Sequence, residues 1–295
     1  MKKFILVLLT VVSCSTAQTG VGRVFVSTEW LSSHLNDPNL VVLHVSFNRP
    51  EYQLAHIPGA KFLWYDWLVI STPDASTEMP AVTQADTVLE SLGITDSSVI
   101  VLCFSGTNLS TTTRVFLALT YFGLGHQTSI LDGGLEAWKS EKRPVSREIP
   151  SGRRTQITLQ IDPSAIVDAD RVKSALTDSG VVIVDARDKR FYDGAGGSIS
   201  RTGHIKGAKS LPFSSVVDST SRLKDLETIQ KIFSDAGIRR DSKLFIYCHV
   251  GQQATLVYAA ARKLGYDAAV YDGSFQDWSL RGEEYPVERP STDKK

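Results

Sequence analysis

A cysteine set where an apolar strand gives way to a small polar loop and then to a helix can serve as a nucleophile, and this sequence has one at Cys248. Lys243 to Tyr247 read as a buried strand and Ala254 to Leu264 as an apolar helical run. Cys248, His249, Val250, Gly251, Gln252, Gln253 and Ala254 join them. The thiolate is the reactive form of cysteine, and helix-terminal N–H groups and a nearby cation stabilise it. Gly251 opens backbone angles closed to other residues, and small or polar neighbours leave the amides accessible to an anion. A buried structural cysteine is the plainer alternative. The strand-end position before a polar, Gly-containing turn favours function, with Cys248 as nucleophile.

The elements that must position this loop occur twice. In the first half a helical pattern (Ser27 to Leu35) leads to an apolar strand (Leu40 to Val45) and then to His56, Ile57, Pro58, Gly59, Ala60. A strand from Val99 ending at Cys103, a helix (Thr112 to Tyr121), and a strand into Asp132, Gly133, Gly134 and Trp138 follow. The second half repeats the order: a helical pattern (Ala169 to Leu176), a strand (Val181 to Val184), Asp185, Ala186, Arg187, then His204, Ile205, Lys206, Gly207, Ala208. The Cys248 strand, its helix, Asp272, Gly273, Ser274 and Trp278 complete it, which makes a tandem duplication. Short continuous apolar strands alternating with helices predict an α/β fold of two domains, each a parallel sheet with helices on both faces. Ligands in such sheets bind at the carboxyl ends of strands, where both Cys103 and Cys248 fall.

Domain bounds follow from composition. Residues 1–19 read as an export signal: Met1, Lys2, Lys3, an apolar run from Phe4 to Val12, then small residues. Val11, Val12, Ser13, Cys14 resembles a bacterial lipobox, with Cys14 as the lipidation candidate. Ordinary cleavage after Ala17 is the competing reading. The protein is therefore expected to be exported, in the periplasm or as a membrane-anchored lipoprotein of a bacterium. The first domain is assigned to residues 20–145, a linker to 146–160, the second domain to 161–290 and a polar tail to 291–295. The linker lies in the Pro-, Ser-, Gly- and Arg-rich stretch that begins at Arg143. Lysine plus arginine and aspartate plus glutamate both total 32, so no electrostatic case exists for nucleic acid, and membrane contact is expected only through a lipid on Cys14. With Cys14 in the signal, only Cys103 and Cys248 remain, too few for a disulfide scaffold. The histidines and cysteines show no ligand spacing, so neither a metal nor a cofactor is expected.

The duplicated HIPGA and GHIKGA segments, the DAR strand end, the CHVGQQAT loop and the YDGSFQDW closing motif together resemble the tandem-domain rhodanese family of thiosulfate and 3-mercaptopyruvate sulfurtransferases. The resemblance spans essentially the whole mature chain. It implies a double displacement in which Cys248 takes sulfur from a small-molecule donor as a persulfide and passes it to cyanide or a thiol, a thioredoxin-like reductant among the candidates. Gly251, Gln252, Gln253 and Ala254 would line the substrate site through their backbone amides. His249, beside the nucleophile, either carries partial positive charge near neutral pH or is a merely polar loop position. Arg190 matches in placement the family's substrate-binding arginine, an exposed arginine being the bland reading. Arg187 is assigned to a carboxylate partner that shapes the loop, and Asp185 and Asp272 to accepting bonds from loop N–H groups.

Each remaining residue is weighed against a plainer role. His56 and His204 hold equivalent positions in the repeated turn, which favours a structural role for both. Cys103, Phe104, Ser105, Gly106 echoes Cys248, His249, Val250, Gly251, but the stretch to the following helix-ending glycine is three residues longer. Cys103 is read as vestigial or structural, so the N-terminal domain is expected to be inactive. Val250 lacks the hydroxyl that mercaptopyruvate enzymes carry at the third loop position, which favours thiosulfate. A cysteine phosphatase needs Arg six residues after the cysteine; Ala254 and Leu109 stand there instead. A nonenzymatic sulfur-carrier or partner-binding module is the alternative of another class.

Overall fold

The computed structural model describes residues 22–71, 76–196 and 200–289. The export segment with Cys14 and the polar tail lie outside the described residues. The first domain runs β1 (Phe25–Val26), α1 (Thr28–His34), β2 (Leu40–Ser46), α2 (Arg49–Leu54), β3 (Lys61–Trp64), α3 (Val82–Ser91), β4 (Val99–Cys103), α4 (Leu109–Tyr121), β5 (Thr128–Leu131) and α5 (Gly134–Ser140). The second runs β6 (Ile166–Val167), α6 (Ala169–Ala175), β7 (Val181–Asp185), α7 (Lys189–Tyr192), β8 (His204–Ile205), β9 (Lys209–Ser210), α8 (Leu226–Asp235), β10 (Lys243–Tyr247), α9 (Ala254–Leu264), β11 (Ala268–Tyr271), α10 (Ser274–Leu280) and β12 (Val287–Glu288).

Both domains carry the same parallel sheet, ordered β1-β5-β4-β2-β3 and β6-β11-β10-β7-β9, and the expected α/β architecture is what forms. Apolar strands without alternation are what a sheet covered on both faces requires. The inner faces merge into one core that crosses the domain boundary, containing Leu102 and Val115 of the first domain and Ile246 and Val257 of the second. The outer faces form separate clusters around Trp138 and Trp278. Helices α4 and α9 meet at the seam, residue against equivalent residue. Thr113 Oγ1 bonds Thr255 Oγ1 at 2.7 Å, and the Phe116 and Tyr258 rings lie 6.4 Å apart.

The repeated turn motif is structural in both halves. His56 and His204 donate from Nδ1 to the carbonyls of Tyr52 and Tyr192 at 2.7 and 2.8 Å and stack on those same rings. The tyrosine hydroxyls bond Ala60 O and Ala208 O, tying helix, turn and strand together. Trp138 and Trp278 close each domain by donating to the carbonyls of Pro144 and Pro286. Between the domains, residues 147–162 carry no helix or strand and run along the first domain, with Thr155 N on Glu90 O and Asp162 N on Tyr121 O.

The match between the two cysteine loops is out of phase by one residue. Strand pairing sets His44 opposite Cys103 and Asp185 opposite Tyr247, so Cys103 is the counterpart of Tyr247 and Phe104 that of Cys248. Leu135 N bonds Phe104 O as Phe275 N bonds Cys248 O, which fixes the same equivalence. Side chains alternate along a strand, so one position of offset reverses the face. Cys103 thus packs in the outer cluster with Val101 and Trp138, whereas Cys248 borders the inner core. Cys103 is fully buried, and burial pushes its thiol pKa up, which disfavours the thiolate that a nucleophile needs.

Candidate active site

Cys248 directly follows β10, only 1% exposed, at the bottom of a loop that turns directly into α9. Its own N–H donates to Ser274 Oγ at 3.2 Å, and that hydroxyl donates on to Tyr271 O at 2.8 Å. Ser274 pays for this bond with a left-handed backbone, φ 52°, where its counterpart in the first domain is Gly134. The carbonyls of Cys248 and His249 accept from Phe275 N and Gln276 N, both at 3.0 Å. By contrast, the amides from His249 to Ala254 donate to no protein acceptor among the described residues. Buried backbone donors are nearly always paired, so a run of open ones beside a cysteine is a prepared anion site. Gly251 makes the turn at φ 84°, and a Cβ there would stand 2.6 Å from Asp272 O. No larger residue fits.

Arg187 and Asp185 lie beneath the loop, both fully buried, in a two-pronged pair with Nε and Nη2 2.9 and 2.6 Å from the carboxylate. Asp185 also accepts from Arg187 N at 2.9 Å and the Tyr247 hydroxyl at 2.8 Å, as a carboxylate shaping a loop should. The guanidinium lies 4.0 Å over the Phe275 ring and donates to Gly203 O, while Nη1 has no hydrogen-bond partner among the described residues. Its charge acts on Cys248, so a residue the sequence assigned to support places a buried cation within electrostatic reach of the thiol.

Three expectations are corrected. Asp272 accepts from no loop N–H: its carboxylate is the partner of Arg114, a fully buried arginine of α4 in the other domain. Arg190 does not enter the loop. It is exposed, its guanidinium 4.4 Å over the Phe191 ring, and Phe191 is the residue of α7 whose ring meets His249, centroids 4.5 Å apart. A helix of four residues turns neighbours to different sides, so position 190 faces water and position 191 the loop. His249 is half-buried, and burial, then the charge of Arg187, push its pKa down, which works against the partial positive charge expected of it. Gln252 reaches Thr111 Oγ1 at 3.3 Å, and Gln253 forms the N-cap of α9 without a side-chain bond.

Sequence reasoning missed Ser274, Phe191, Thr77 and Arg114. Ser274 shows as the one change from Gly134 in the repeated closing turn. Arg114 is the lone charged residue in Leu109–Tyr121, a helix buried almost all round, which is signal enough that it has a specific partner. A cavity of about 260 Å³ borders the loop between the domains, lined by Ser76, Glu78, Val250, Gly273, Gln276 and Asp277. Among the described residues no three His, Cys, Asp or Glu side chains gather as a metal site would require.

Comparison with known proteins agrees with the duplication. A family model described as rhodanese-like domain matches residues 27–141 and again 168–281. The mitochondrial thiosulfate/3-mercaptopyruvate sulfurtransferase 1 of Arabidopsis thaliana is 28% identical over 311 residues, covering 93% of this chain and 80% of its own. A sulfur carrier protein of Thermus thermophilus is 26% identical over 271 residues, covering 87% and 93%. The crystal structure of a 3-mercaptopyruvate sulfotransferase from Escherichia coli superposes with a TM-score of 0.75 at 25% identity, covering 86% of this chain and 99% of that one.

Proposed function

The chain belongs to the rhodanese-like domain family, in tandem, and on that premise we propose that it is a thiosulfate sulfurtransferase working through a persulfide on Cys248. Sulfurtransferase activity is what the family and the relatives support; the donor is our reading. The observation that carries it is the run of unpaired amides from His249 to Ala254 over a cysteine whose own N–H is held by Ser274.

In the first half-reaction the Cys248 thiolate attacks the outer sulfur of thiosulfate. The new S–S bond forms as the old one breaks, and sulfite leaves with the electron pair. The loop amides neutralise the negative charge through dipoles already in place, with no proton to move. In the second half-reaction cyanide or a thiolate attacks the outer sulfur of the persulfide and Cys248 leaves as thiolate. A thioredoxin-like reductant would serve as one such acceptor. Thiosulfate is favoured over 3-mercaptopyruvate because Val250 places a hydrocarbon where a hydroxyl would be needed to move a proton to a carbonyl.

Mass spectrometry of reduced protein after incubation with each donor tests this. A mass gain of one sulfur atom on Cys248 from thiosulfate, faster than from 3-mercaptopyruvate, is expected. The reverse preference would leave the enzyme a mercaptopyruvate sulfurtransferase, and loading by neither donor would end the transferase reading. Export, with lipidation at Cys14, belongs to the same proposal and is tested by the mass of the mature N-terminus.

A further inference from the structure

The cysteine of the N-terminal domain is buried in its outer cluster, yet the domain holds two of the carbonyls of the Cys248 loop. The Thr77 hydroxyl donates to Val250 O, and Arg114 donates through Nη1 to Gly251 O at 3.4 Å and to the Asp272 carboxylate, and through Nη2 to Thr77 O. We propose that Arg114 and Thr77 are positioning residues for sulfur transfer, aiming the amides of Gly251 and Gln252 at the sulfur bound on Cys248. The proposal rests on the sulfurtransferase reading of Cys248.

The argument is one of peptide geometry. A trans peptide is planar, so its C=O and N–H point in opposite directions. Drawing Val250 O outward to Thr77 turns Gly251 N–H inward, and drawing Gly251 O outward to Arg114 does the same for Gln252 N–H. The carbonyls of Cys248 and His249 are pulled outward by Phe275 N and Gln276 N, which aims the amides of His249 and Val250. Four successive carbonyls are thus anchored, two by the loop's own domain and two by the other. The second pair depends on the seam.

Two further observations single out this side of the molecule. Thr77 is β-branched and yet has φ 62°, a strained conformation kept only where surrounding bonds over-determine it. Its carbonyl and hydroxyl are both engaged in the clamp. The seam is also asymmetric where the repeat would make it symmetric. By the spacing that relates Thr113 to Thr255, the counterpart of Arg114 is Leu256, and Asp132, the counterpart of Asp272, accepts instead from Leu223 N at 2.8 Å. Only the side facing the cysteine carries the arginine.

Steady-state kinetics of the full chain with thiosulfate and cyanide, normalised to the fraction of Cys248 that loads sulfur, test the proposal. Arg114→Met is expected to lower kcat on the order of tenfold or more, as misplaced oxyanion donors do, with KM changed by less than about twofold. Arg114→Lys should recover part of the loss, because an ammonium can serve some but not all of the three acceptors. Thr77→Gly separates positioning from stability: it relieves the strained φ while deleting the hydroxyl, so it should unfold no earlier than the wild type yet turn over more slowly. Wild-type kcat in Thr77→Gly and in loaded Arg114→Met would overturn the proposal. Failure of the wild type itself to load sulfur would instead overturn the sulfurtransferase reading.

Discussion

Replacing His44 by leucine should flatten the acid side of the stability curve. His44 is fully buried in the first domain, neither ring nitrogen has a partner, and its edge meets Tyr52 with ring centroids 5.5 Å apart. Burial, followed by the charges of His56 and Lys139, lowers its pKa from 6.5 to about 4. The sign follows from which state takes the proton. Below pH 6.5 the unfolded chain protonates this histidine and the folded one does not, so the stability is whole above pH 6.5 and is lost as the pH falls to about 4. Each pH unit in that window is worth about 1.4 kcal/mol, so the loss is about 3 kcal/mol, a large share of an ordinary folding free energy. Leucine fills a similar volume and removes two unsatisfied polar atoms, so His44→Leu should cost little at neutral pH. Urea unfolding of both proteins from about pH 7 down to about pH 4, followed by tryptophan fluorescence, gives the two curves. The wild type should fall about 3 kcal/mol further than the variant. His249, whose pKa is also lowered by burial, is present in both and cancels. Parallel curves would refute the reasoning.

Cys248→Ser should abolish transfer while Cys103→Ala keeps most of it, and equal loss from both, measured with either donor, would sink the one-site assignment. Cys103→Ser should unfold earlier than Cys103→Ala in thermal melts, because a hydroxyl buried in the outer core costs about 1–3 kcal/mol where it finds no partner. Gly251→Ala should reduce kcat well over tenfold, since the new methyl must displace Asp272 O and adopt a left-handed φ costing about 1–2 kcal/mol; an active Gly251→Ala would mean that the loop is not the anion site. Arg190→Ala should raise the KM for thiosulfate modestly and without loss of stability, an effect that shrinks with added salt because the guanidinium is exposed. An unchanged KM at low salt removes Arg190 from donor capture.

The sequence made the C-terminal half legible where local chemistry decides it. Strand β10 and helix α9 begin and end where their apolar patterns do, the paired histidines bond backbone as a repeated turn residue should, and Arg187 finds its carboxylate two residues away in Asp185. Helix α4 starts a turn earlier than expected, because Leu109 and Thr111 are buried by the seam and not by an apolar pattern of their own. Phase was not legible at Cys103: its resemblance to Cys248 is one of letters, and only strand pairing shows that the two point to opposite faces. Nor were the partners of Arg114 and Thr77, which lie far along the chain. Arg190 and Phe191 differ by one position in a single helical turn, too short for periodicity to say which faces inward.

The contact of Thr113 with Thr255 and of Phe116 with Tyr258 is the pattern of an isologous interface, in which a surface meets its own copy across a two-fold axis. In such an arrangement the mating surfaces themselves fix the orientation. The stretch 147–162 is then a tether that raises effective concentration and does not set geometry. A chain cut there should stay one particle, its halves held by the shared core, and the two carbonyl anchors from the first domain should survive the cut.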